Sequence, residues 1–136
     1  EFNVRFGDPE CQPLMFMLDE DVVPLLCDAA AGDLEPRALK WKPGAACCVV
    51  MVSGGYPGSI EKGKVISGVP EPVSEAVVFY AGAAREGDEV VTSGGRVLGV
   101  TAHGSDLRGA SARAYEQVEL IHFEKAAWRT DIGGTH

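Results

Sequence analysis

Hydrophobic positions divide the chain into a mainly helical first part and a mainly β second part. Residues 9–17 and 21–31 place their apolar side chains at helical spacing, and Gly32 marks the end of the second predicted helix. Residues 35–44 contain two prolines and a glycine, which is typical of a linker. The pattern therefore predicts helices before about residue 40 and a separate unit from residue 41 onward.

The second part is dominated by short β patterns. Residues 47–53 form a nearly continuous apolar run, typical of a strand that is covered on both faces. Ser93-Gly94-Gly95 is a hairpin signal, which predicts that the strand before it pairs with the strand after it. The remaining predicted strands cover residues 64–67, 77–81, 89–92 and 96–102.

One amphipathic helix is predicted near the end of the chain. Ser105 is its expected N-cap, and small and apolar residues follow one stripe to about Leu120. A last pair of strands is expected within residues 121–123 and 128–132. Together these elements predict an α+β fold, with a small antiparallel sheet and helices on one side.

The first six residues alternate between apolar and polar side chains, as in a strand with one buried face. Val4 and Phe6 would then face a core, and the outward row would be Glu1, Asn3 and Arg5. A carboxylate and an amide oxygen two residues apart can ligate one hard cation such as Mg²⁺. A guanidinium beside them can bind phosphate oxygens as a planar fork. Because phosphoryl transfer uses this combination, we interpret Glu1 and Asn3 as metal ligands and Arg5 as a catalytic residue.

Two further positions have more than one interpretation. Asp8 precedes a predicted helix with Pro9 at its first position, so Asp8 is a plausible N-cap. Arg96 follows Gly94-Gly95, either as a surface residue after a turn or as part of an anion site. In such a site the backbone N–H groups and the guanidinium would hold a phosphate.

Composition narrows the class of protein. The 136 residues fit one domain, or one domain and part of another, and 46% hydrophobic content is enough for a core. A net charge of −8 argues against a nucleic-acid binder. The sequence contains no apolar run long enough to predict a membrane span, and no signal peptide is visible. The four cysteines lack the spacing of a zinc site, which predicts reduced, buried thiols and a cytoplasmic location.

Four segments together resemble the ATP-grasp ligases and, more narrowly, the phosphoribosylamine–glycine ligases of purine biosynthesis. They are E-F-N-V-R-F-G-D-P-E (1–10), V-M-V-S-G-G-Y-P-G (50–58), V-T-S-G-G-R-V-L-G-V-T-A (91–102) and R-T-D-I-G (129–133). They occur in the order of that family and extend along nearly the whole chain. Tyr80-Ala81-Gly82-Ala83 departs from the H-A-G-T that relatives often show, which puts one polar substrate contact in doubt.

The resemblance implies a domain organisation and a reaction. Residues 1–40 would be the carboxy-terminal end of an ATP-grasp domain with a linker, its terminal strand and helices preceding the small sheet. Residues 41–136 would be the carboxy-terminal domain. The parent enzyme would join glycine to 5-phosphoribosylamine, with hydrolysis of ATP to ADP and phosphate and glycyl phosphate as the intermediate. This chain alone would be inactive without the remaining ATP-grasp and amino-terminal domains.

The resemblance also implies roles for individual residues. Glu1 and Asn3 would bind Mg²⁺, or Mn²⁺, that bridges phosphates of the co-substrate ATP, and Arg5 would stabilise charge on the transferring phosphoryl group. Asp8 would contact a ribose or amine of the acceptor, besides its possible capping role. Gly95 and Arg96 match positions of the domain that closes over the active site and helps to bind phosphoribosylamine.

Two alternatives remain open at this point. Another ATP-grasp ligase, or a fragment of a carboxylase, would share E-x-N-x-R but usually continues differently after Arg5. A non-catalytic module could use the glycine-rich loops to hold a sugar phosphate. Partners in either case would be small molecules, with no nucleic acid and no membrane.

Overall fold

The computed structural model describes residues 4–134, which form an α+β fold and confirm the predicted class. Two helices come first, followed by five strands and a third helix. In chain order the elements are α1 (Cys11–Met17), α2 (Val22–Ala31), β1 (Ala45–Val52), β2 (Ala76–Tyr80), β3 (Ala83–Glu86), β4 (Glu89–Thr92), β5 (Arg96–Gly104) and α3 (Leu107–Val118).

The main sheet has three antiparallel strands in the order β1-β5-β2. Val100 on the central strand β5 lies opposite Val49 of β1 and Val78 of β2. A bulge interrupts the pairing between Met51 and Val52. Strands β3 and β4 pair only with each other, as a separate two-stranded sheet.

The core lies between the main sheet and α3. One face of β1 contributes Cys47, Val49 and Met51, all of them buried. From α3 the buried residues are small or branched, namely Ala110, Ala114 and Val118. Small side chains allow the helix backbone to approach the sheet closely, so α3 packs directly on β1 and β5. Helix α1 packs against the same two strands from the opposite face, where Gln12 approaches Gly99.

The predicted second helix is confirmed together with both of its end signals. The side chain of Asp21 accepts a hydrogen bond from the backbone N–H of Val23 at 2.9 Å, and Gly32 closes the helix with φ 80°. The first helix begins later than expected. Its N-cap is Glu10, with no side-chain cap, so the N-cap interpretation of Asp8 is wrong.

The start of the described chain is not a strand. Val4 and Arg5 form a bend, and Val4 and Phe6 are exposed rather than facing a core. No strand within residues 4–134 pairs with this segment, so its alternating pattern has no sheet to join. No residue from Val4 to Ala46 is buried.

The hairpin predicted at Ser93-Gly94-Gly95 is also wrong. Strand β4 pairs with β3, and β5 pairs with β1 and β2, so these three residues connect two different sheets. Gly94 lies against the backbone of Gly82, which leaves no room for side chains at this crossing. Residues 93–95 do connect the two strands, but the partner of each strand depends on which of its side chains are buried.

Two other strand predictions in the second part are met only by isolated bridges, and the predicted strand at 128–132 is wrong. Residues 64–67, 121–123 and 128–132 are not regular strands, although single bridges join Val65 to Val91 and Ser67 to His122. The N-cap of α3 is Asp106 rather than Ser105, because the Asp106 carboxylate accepts from the N–H of Gly109 at 2.8 Å.

All four cysteines are free, but they are not all buried. Cys47 and Cys48 are buried and face opposite sides of β1, as their adjacency predicts. Burial raises the pKa of both thiols, which keeps them protonated at neutral pH. Cys27 is exposed, so the buried-thiol expectation is wrong there. None of the helices within residues 4–134 has the length and apolar character needed to cross a membrane.

Candidate functional site

Three segments that were separate in the sequence meet at one end of the main sheet. They are the glycine-rich loop after β1, the Tyr80–Ala83 segment after β2, and the crossing before β5. Ser53 joins the first to the third, since its N–H donates to the carbonyl of Gly95 and its hydroxyl donates to the carbonyl of Gly94, both at 2.8 Å. Ser53 is buried, so these bonds fix the loop firmly against β5.

Gly95 provides the surface on which Tyr56 lies. A Cβ atom at position 95 would stand 2.5 Å from Cδ2 and 2.9 Å from Cε2 of the Tyr56 ring. The ring therefore occupies the space that any other residue at position 95 would need. The need for glycine at position 95 thus comes from the close approach of the Tyr56 ring and not from hairpin geometry.

Asp8 and Arg96 form an ion pair at the same end of the sheet. The Nη2 atom of Arg96 lies 2.9 Å from Oδ2 of Asp8, and both side chains are roughly half exposed. The structure therefore brings together the two charged residues that sequence analysis assigned to the acceptor substrate. Arg96 is the first residue of β5 and Asp8 precedes α1, so the pair joins the two predicted parts of the chain.

A cavity of about 440 Å³ opens beside this pair. Its floor is the face of β1 opposite α3, formed by Cys48, Val50 and Val52. Tyr56 and Arg96 line its rim. Its far wall comes from the last described residues, Ala127, Trp128, Arg129 and Ile132. The cavity thus combines apolar walls with two guanidinium groups, an arrangement suited to a ligand with an anionic group and a less polar body.

The far wall is anchored to α3. The hydroxyl of Tyr115 donates to the carbonyl of Arg129 at 2.8 Å and accepts from the N–H of Ile132 at 2.9 Å. Ser111 adds a bond from its hydroxyl to the carbonyl of Ile132 at 2.8 Å. The guanidinium of Arg129 pairs with both oxygens of Asp131, at 2.9 and 2.6 Å, which raises the pKa of Arg129. Each cavity arginine therefore has a carboxylate partner.

The predicted metal ligands Glu1 and Asn3 lie outside the described residues. Arg5 is described and exposed, with its Nη1 donating to the carbonyl of Phe6 at 3.1 Å. Within residues 4–134 no group of three or more His, Cys, Asp or Glu side chains is arranged to hold a metal ion. The roles of Glu1, Asn3 and Arg5 stay predictions.

Neither Tyr56 nor Arg129 has a local sequence signal of its own. Tyr56 lies in the glycine-rich loop after β1, and Arg129 lies in the segment 129–133. The available signal was their position inside two of the four matched segments. Their meeting at one cavity depends on the pairing of β1 with the chain around Ala127, which local patterns do not encode.

The sequence matches the family model described as phosphoribosylglycinamide synthetase, C domain, over residues 46–135. The chain belongs to this family. Curated phosphoribosylamine–glycine ligases are similar to this phosphoribosylglycinamide synthetase C domain and to the residues before it. The protein from Vibrio cholerae is 48% identical over 134 residues, and that from Agrobacterium fabrum is 46% identical over 133 residues. Each alignment covers 98% of this chain but 31% of the relative.

A solved structure shares the fold. The crystal structure of phosphoribosylamine–glycine ligase from Thermotoga maritima superposes with a TM-score of 0.84 at 37% identity. The match covers 96% of this chain and 32% of that one. The C domain described here, with its preceding helices, thus spans about a third of the length of the relatives it matches.

Proposed function

We propose that this chain is the carboxy-terminal portion of an ATP-dependent carbon–nitrogen ligase of purine biosynthesis, which joins glycine to 5-phosphoribosylamine. The observation that carries the proposal is the continuous similarity to ligases of that name along nearly the whole chain. Residues 1–40 end the ATP-grasp domain and form the linker, and residues 41–136 form the carboxy-terminal domain. The remaining domains hold ATP and glycine.

The proposed reaction has two steps. An oxygen of the glycine carboxylate attacks the γ-phosphorus of ATP, which forms glycyl phosphate and releases ADP. The amine of phosphoribosylamine then attacks the acyl carbon, forms the amide bond and expels inorganic phosphate, while the amine loses a proton. Both steps develop negative charge on phosphoryl or acyl oxygens, so they depend on fixed positive charge near the reacting atoms.

The cavity beside β1 binds the phosphoribosylamine. Arg96 presents its guanidinium to the phosphate or ribose end, and its present partner Asp8 accepts a hydrogen bond from a ribose hydroxyl or the amine. Gly95 has no side chain, so the Tyr56 ring can lie at the rim and limit the width of the site. The apolar floor excludes water from the acceptor and strengthens these polar contacts.

The donor chemistry of Glu1 and Asn3, one carboxylate and one amide oxygen, fits the hard oxygen donors that Mg²⁺ or Mn²⁺ prefers. Such an ion, when bound, would neutralise charge on the phosphates of ATP. Arg5 follows these donors in the sequence and supplies a second positive group to the transferring phosphoryl. In the described structure its guanidinium bonds only to the nearby Phe6 carbonyl, so it is free to turn toward a phosphate.

A chimera tests this function. The corresponding third of the Vibrio cholerae ligase is replaced with this chain, and phosphate release is measured with each substrate omitted in turn. We expect release that requires ATP, glycine and phosphoribosylamine together. Release that is independent of glycine or of phosphoribosylamine would contradict the assignment and favour a different ATP-grasp reaction.

A further inference from the structure

We propose that Lys125 is a positioning residue that, with Glu61, holds the Tyr56 loop (residues 53–60) at the rim of the cavity. The consequence for substrate use rests on the proposed function, but the holding of the loop does not. Lys125 lies outside the four matched segments in the sequence, and its ion pair is with Glu61, which is not a residue assigned to substrate. Its contacts are with the two ends of the loop that carries Tyr56.

At the start of the loop, Lys125 packs against Gly54. A Cβ atom on Gly54 would stand 2.5 Å from Cβ and 3.1 Å from the carbonyl oxygen of Lys125. Gly54 therefore allows the turn that carries Lys125 to lie directly against the loop. The neighbouring residues Val52 and Ala127 exchange two backbone hydrogen bonds, of 2.8 and 3.1 Å, which hold the turn in register.

Just beyond the end of the loop, the ammonium of Lys125 pairs with Glu61. Its Nζ lies 2.9 Å from Oε1 of Glu61, and the other carboxylate oxygen lies 3.1 Å from Nζ of Lys64. Lys64 in turn pairs with Glu124 at 2.7 Å. The hydrogen bonds from Lys125 and Lys64 lower the pKa of Glu61, so this carboxylate stays charged well below neutral pH. The alternating charges tie the end of the loop to the turn that contains Glu124 and Lys125.

The backbone conformation of Lys125 independently supports a role for its side chain. Its φ is 58°, and it is the one residue other than glycine with positive φ within residues 4–134. This left-handed conformation is uncommon for a lysine and favours glycine. A lysine at such a position is explained when its side chain makes a contact that glycine could not make. The ion pair with Glu61 is that contact.

The contacts of Lys125 with Gly54 and Glu61 affect the cavity because they hold the loop that carries Tyr56. Between Gly54 and Glu61 the chain makes two tight turns, with Tyr56 N–H donating to Ser53 and Gly58 N–H donating to Gly55. The Tyr56 side chain is itself about two-fifths exposed and rests on Gly95, and its hydroxyl has no hydrogen-bond partner within residues 4–134. Fixing both ends of the loop therefore narrows the positions that the ring can take.

The first experiment measures the loop directly in this chain. Lys125→Met keeps the alkyl stem against Gly54 but cannot pair with Glu61, and Lys62→Met is the matched control. Lys62→Met removes the same charge from the same region, and Lys62 has no ion-pair partner within residues 4–134. We expect hydrogen exchange at the Tyr56 and Gly58 amides to rise at least about threefold in Lys125→Met and to stay unchanged in Lys62→Met. Equal exchange in both variants would overturn the proposal.

The second experiment uses the same substitutions in the chimera. Lys125→Met should raise KM for phosphoribosylamine about three- to tenfold, the effect of losing roughly one well-placed contact, with kcat and the KM for ATP unchanged. Lys125→Arg, which restores a cation opposite Glu61 and leaves the Glu61–Lys64 pair intact, should recover most of the loss. A kcat loss without a KM change, or no recovery, would overturn the positioning role. An inactive parent chimera would contradict the proposed function instead, and the exchange measurement would still decide whether Lys125 holds the loop.

Discussion

Arg96 and Asp8 show how a weak contact can still be informative. An ion pair between two half-exposed side chains contributes about 0–1 kcal/mol to stability, because water and salt screen it. Folding therefore gives little reason to bring these two residues together. Their common position at the rim of a cavity gives a better reason, since a charged ligand can take over either partner at low cost.

Substitution of Arg96 should impair the use of phosphoribosylamine more than the use of ATP or glycine. In the active chimera we expect Arg96→Ala to lower kcat/KM for phosphoribosylamine by roughly 10- to 100-fold, which corresponds to about 1.5–3 kcal/mol for a lost charged contact. Use of ATP and glycine should change much less. Arg96→Lys should recover only part of the loss, because an ammonium lacks the planar fork. Steady-state kinetics with each substrate varied in turn would measure this.

Arg85 is the matched control for this prediction. It is an exposed arginine on β3, away from the cavity lining, and has no ion-pair partner within residues 4–134. Arg85→Ala should leave all three substrates within about twofold of the parent, since surface substitutions of this kind are near neutral. An equal loss for all three substrates in Arg96→Ala would remove Arg96 from the acceptor site.

At the scale of elements, small residues decide how closely α3 approaches the sheet. Gly104 ends β5 directly beneath the first turn of α3, where a Cβ atom would stand 2.4 Å from the backbone nitrogen of Ala110. Ala110 and Ala114 are fully buried at the same interface. By contrast, a Cβ atom on Gly109 would meet only Asp106 Oδ1 at 3.4 Å and Gly104 Cα at 4.0 Å, which are ordinary contacts.

Two glycine-to-alanine substitutions at this interface should therefore have opposite effects. Gly109→Ala should raise the free energy of unfolding by about 0.5–1 kcal/mol, because alanine is the better helix former. Gly104→Ala should lower it by about 1–3 kcal/mol or more, because backbone atoms must move. Urea unfolding followed by circular dichroism would compare them. Stabilisation by both, or loss in both, would contradict this packing of α3.

Elements with local signals were predictable from the sequence. Helix α2 carries its own cap at Asp21 and its own terminator at Gly32, and β1 is a long apolar run, so each was located within a few residues. The crossing at residues 93–95 was not predictable, because a turn signal does not specify which strands pair. Capping was one of two interpretations of Asp8, and it failed because a capping signal is local, whereas the ion-pair partner Arg96 is far away in the sequence.

The candidate site was predictable only in part, since Gly95 was identified beside two charged residues but the second cavity arginine, Arg129, was not. Asp8 and Arg96 stood out through their motifs, but their contact depends on how α1 packs on the sheet. Tyr56 reaches the cavity through its fit against Gly95, and Arg129 reaches it through the anchoring of its segment by Tyr115. Such contacts between distant segments follow from the tertiary fold and have no signature in local spacing.

At the scale of the whole molecule, Glu20 joins the helical part to the linker. Its carboxylate accepts from the backbone N–H of Lys40 at 2.6 Å and pairs with Arg37 at 2.8 Å. The bond from Lys40, followed by that from Arg37, lowers the pKa of Glu20 below its ordinary value. A group with a lowered folded-state pKa stabilises the fold above its unfolded pKa and loses that effect as the pH falls through the folded pKa.

Stability should therefore depend on pH through Glu20 on the acid side. As the pH falls below about 4.3, the ordinary pKa of a glutamate, the parent chain should lose stability more steeply than Glu20→Gln. Above pH 6 the difference between the two should be constant. Melting temperatures measured from pH 7 to pH 3 would show this, with Glu71→Gln as a control that removes a charge without an ion pair within residues 4–134. Parallel curves would contradict the linkage.

The isolated chain should be catalytically silent. It spans about a third of the relatives, and the proposed Mg²⁺ donors are two side chains, whereas this ion prefers six oxygen ligands and gives up its waters reluctantly, so binding should be weak. Within residues 4–134 no additional cluster of carboxylates, histidines or cysteines compensates for this. Within residues 4–134 the guanidinium of Arg5 has only the neighbouring Phe6 carbonyl as a hydrogen-bond partner.

Phosphate release by the isolated chain, with ATP, glycine and phosphoribosylamine all present, should thus equal the background without protein. The active chimera, prepared in the same way, is the positive control for the assay. The decisive comparison adds Arg5→Ala to both proteins. Activity in the chimera should fall with this substitution, because Arg5 stabilises the transferring phosphoryl group only when the other domains supply ATP. Glycine-dependent release by the isolated chain that disappears in Arg5→Ala would show that this segment holds a complete phosphoryl-transfer site. It would contradict the proposal that the other domains are needed to hold ATP and glycine.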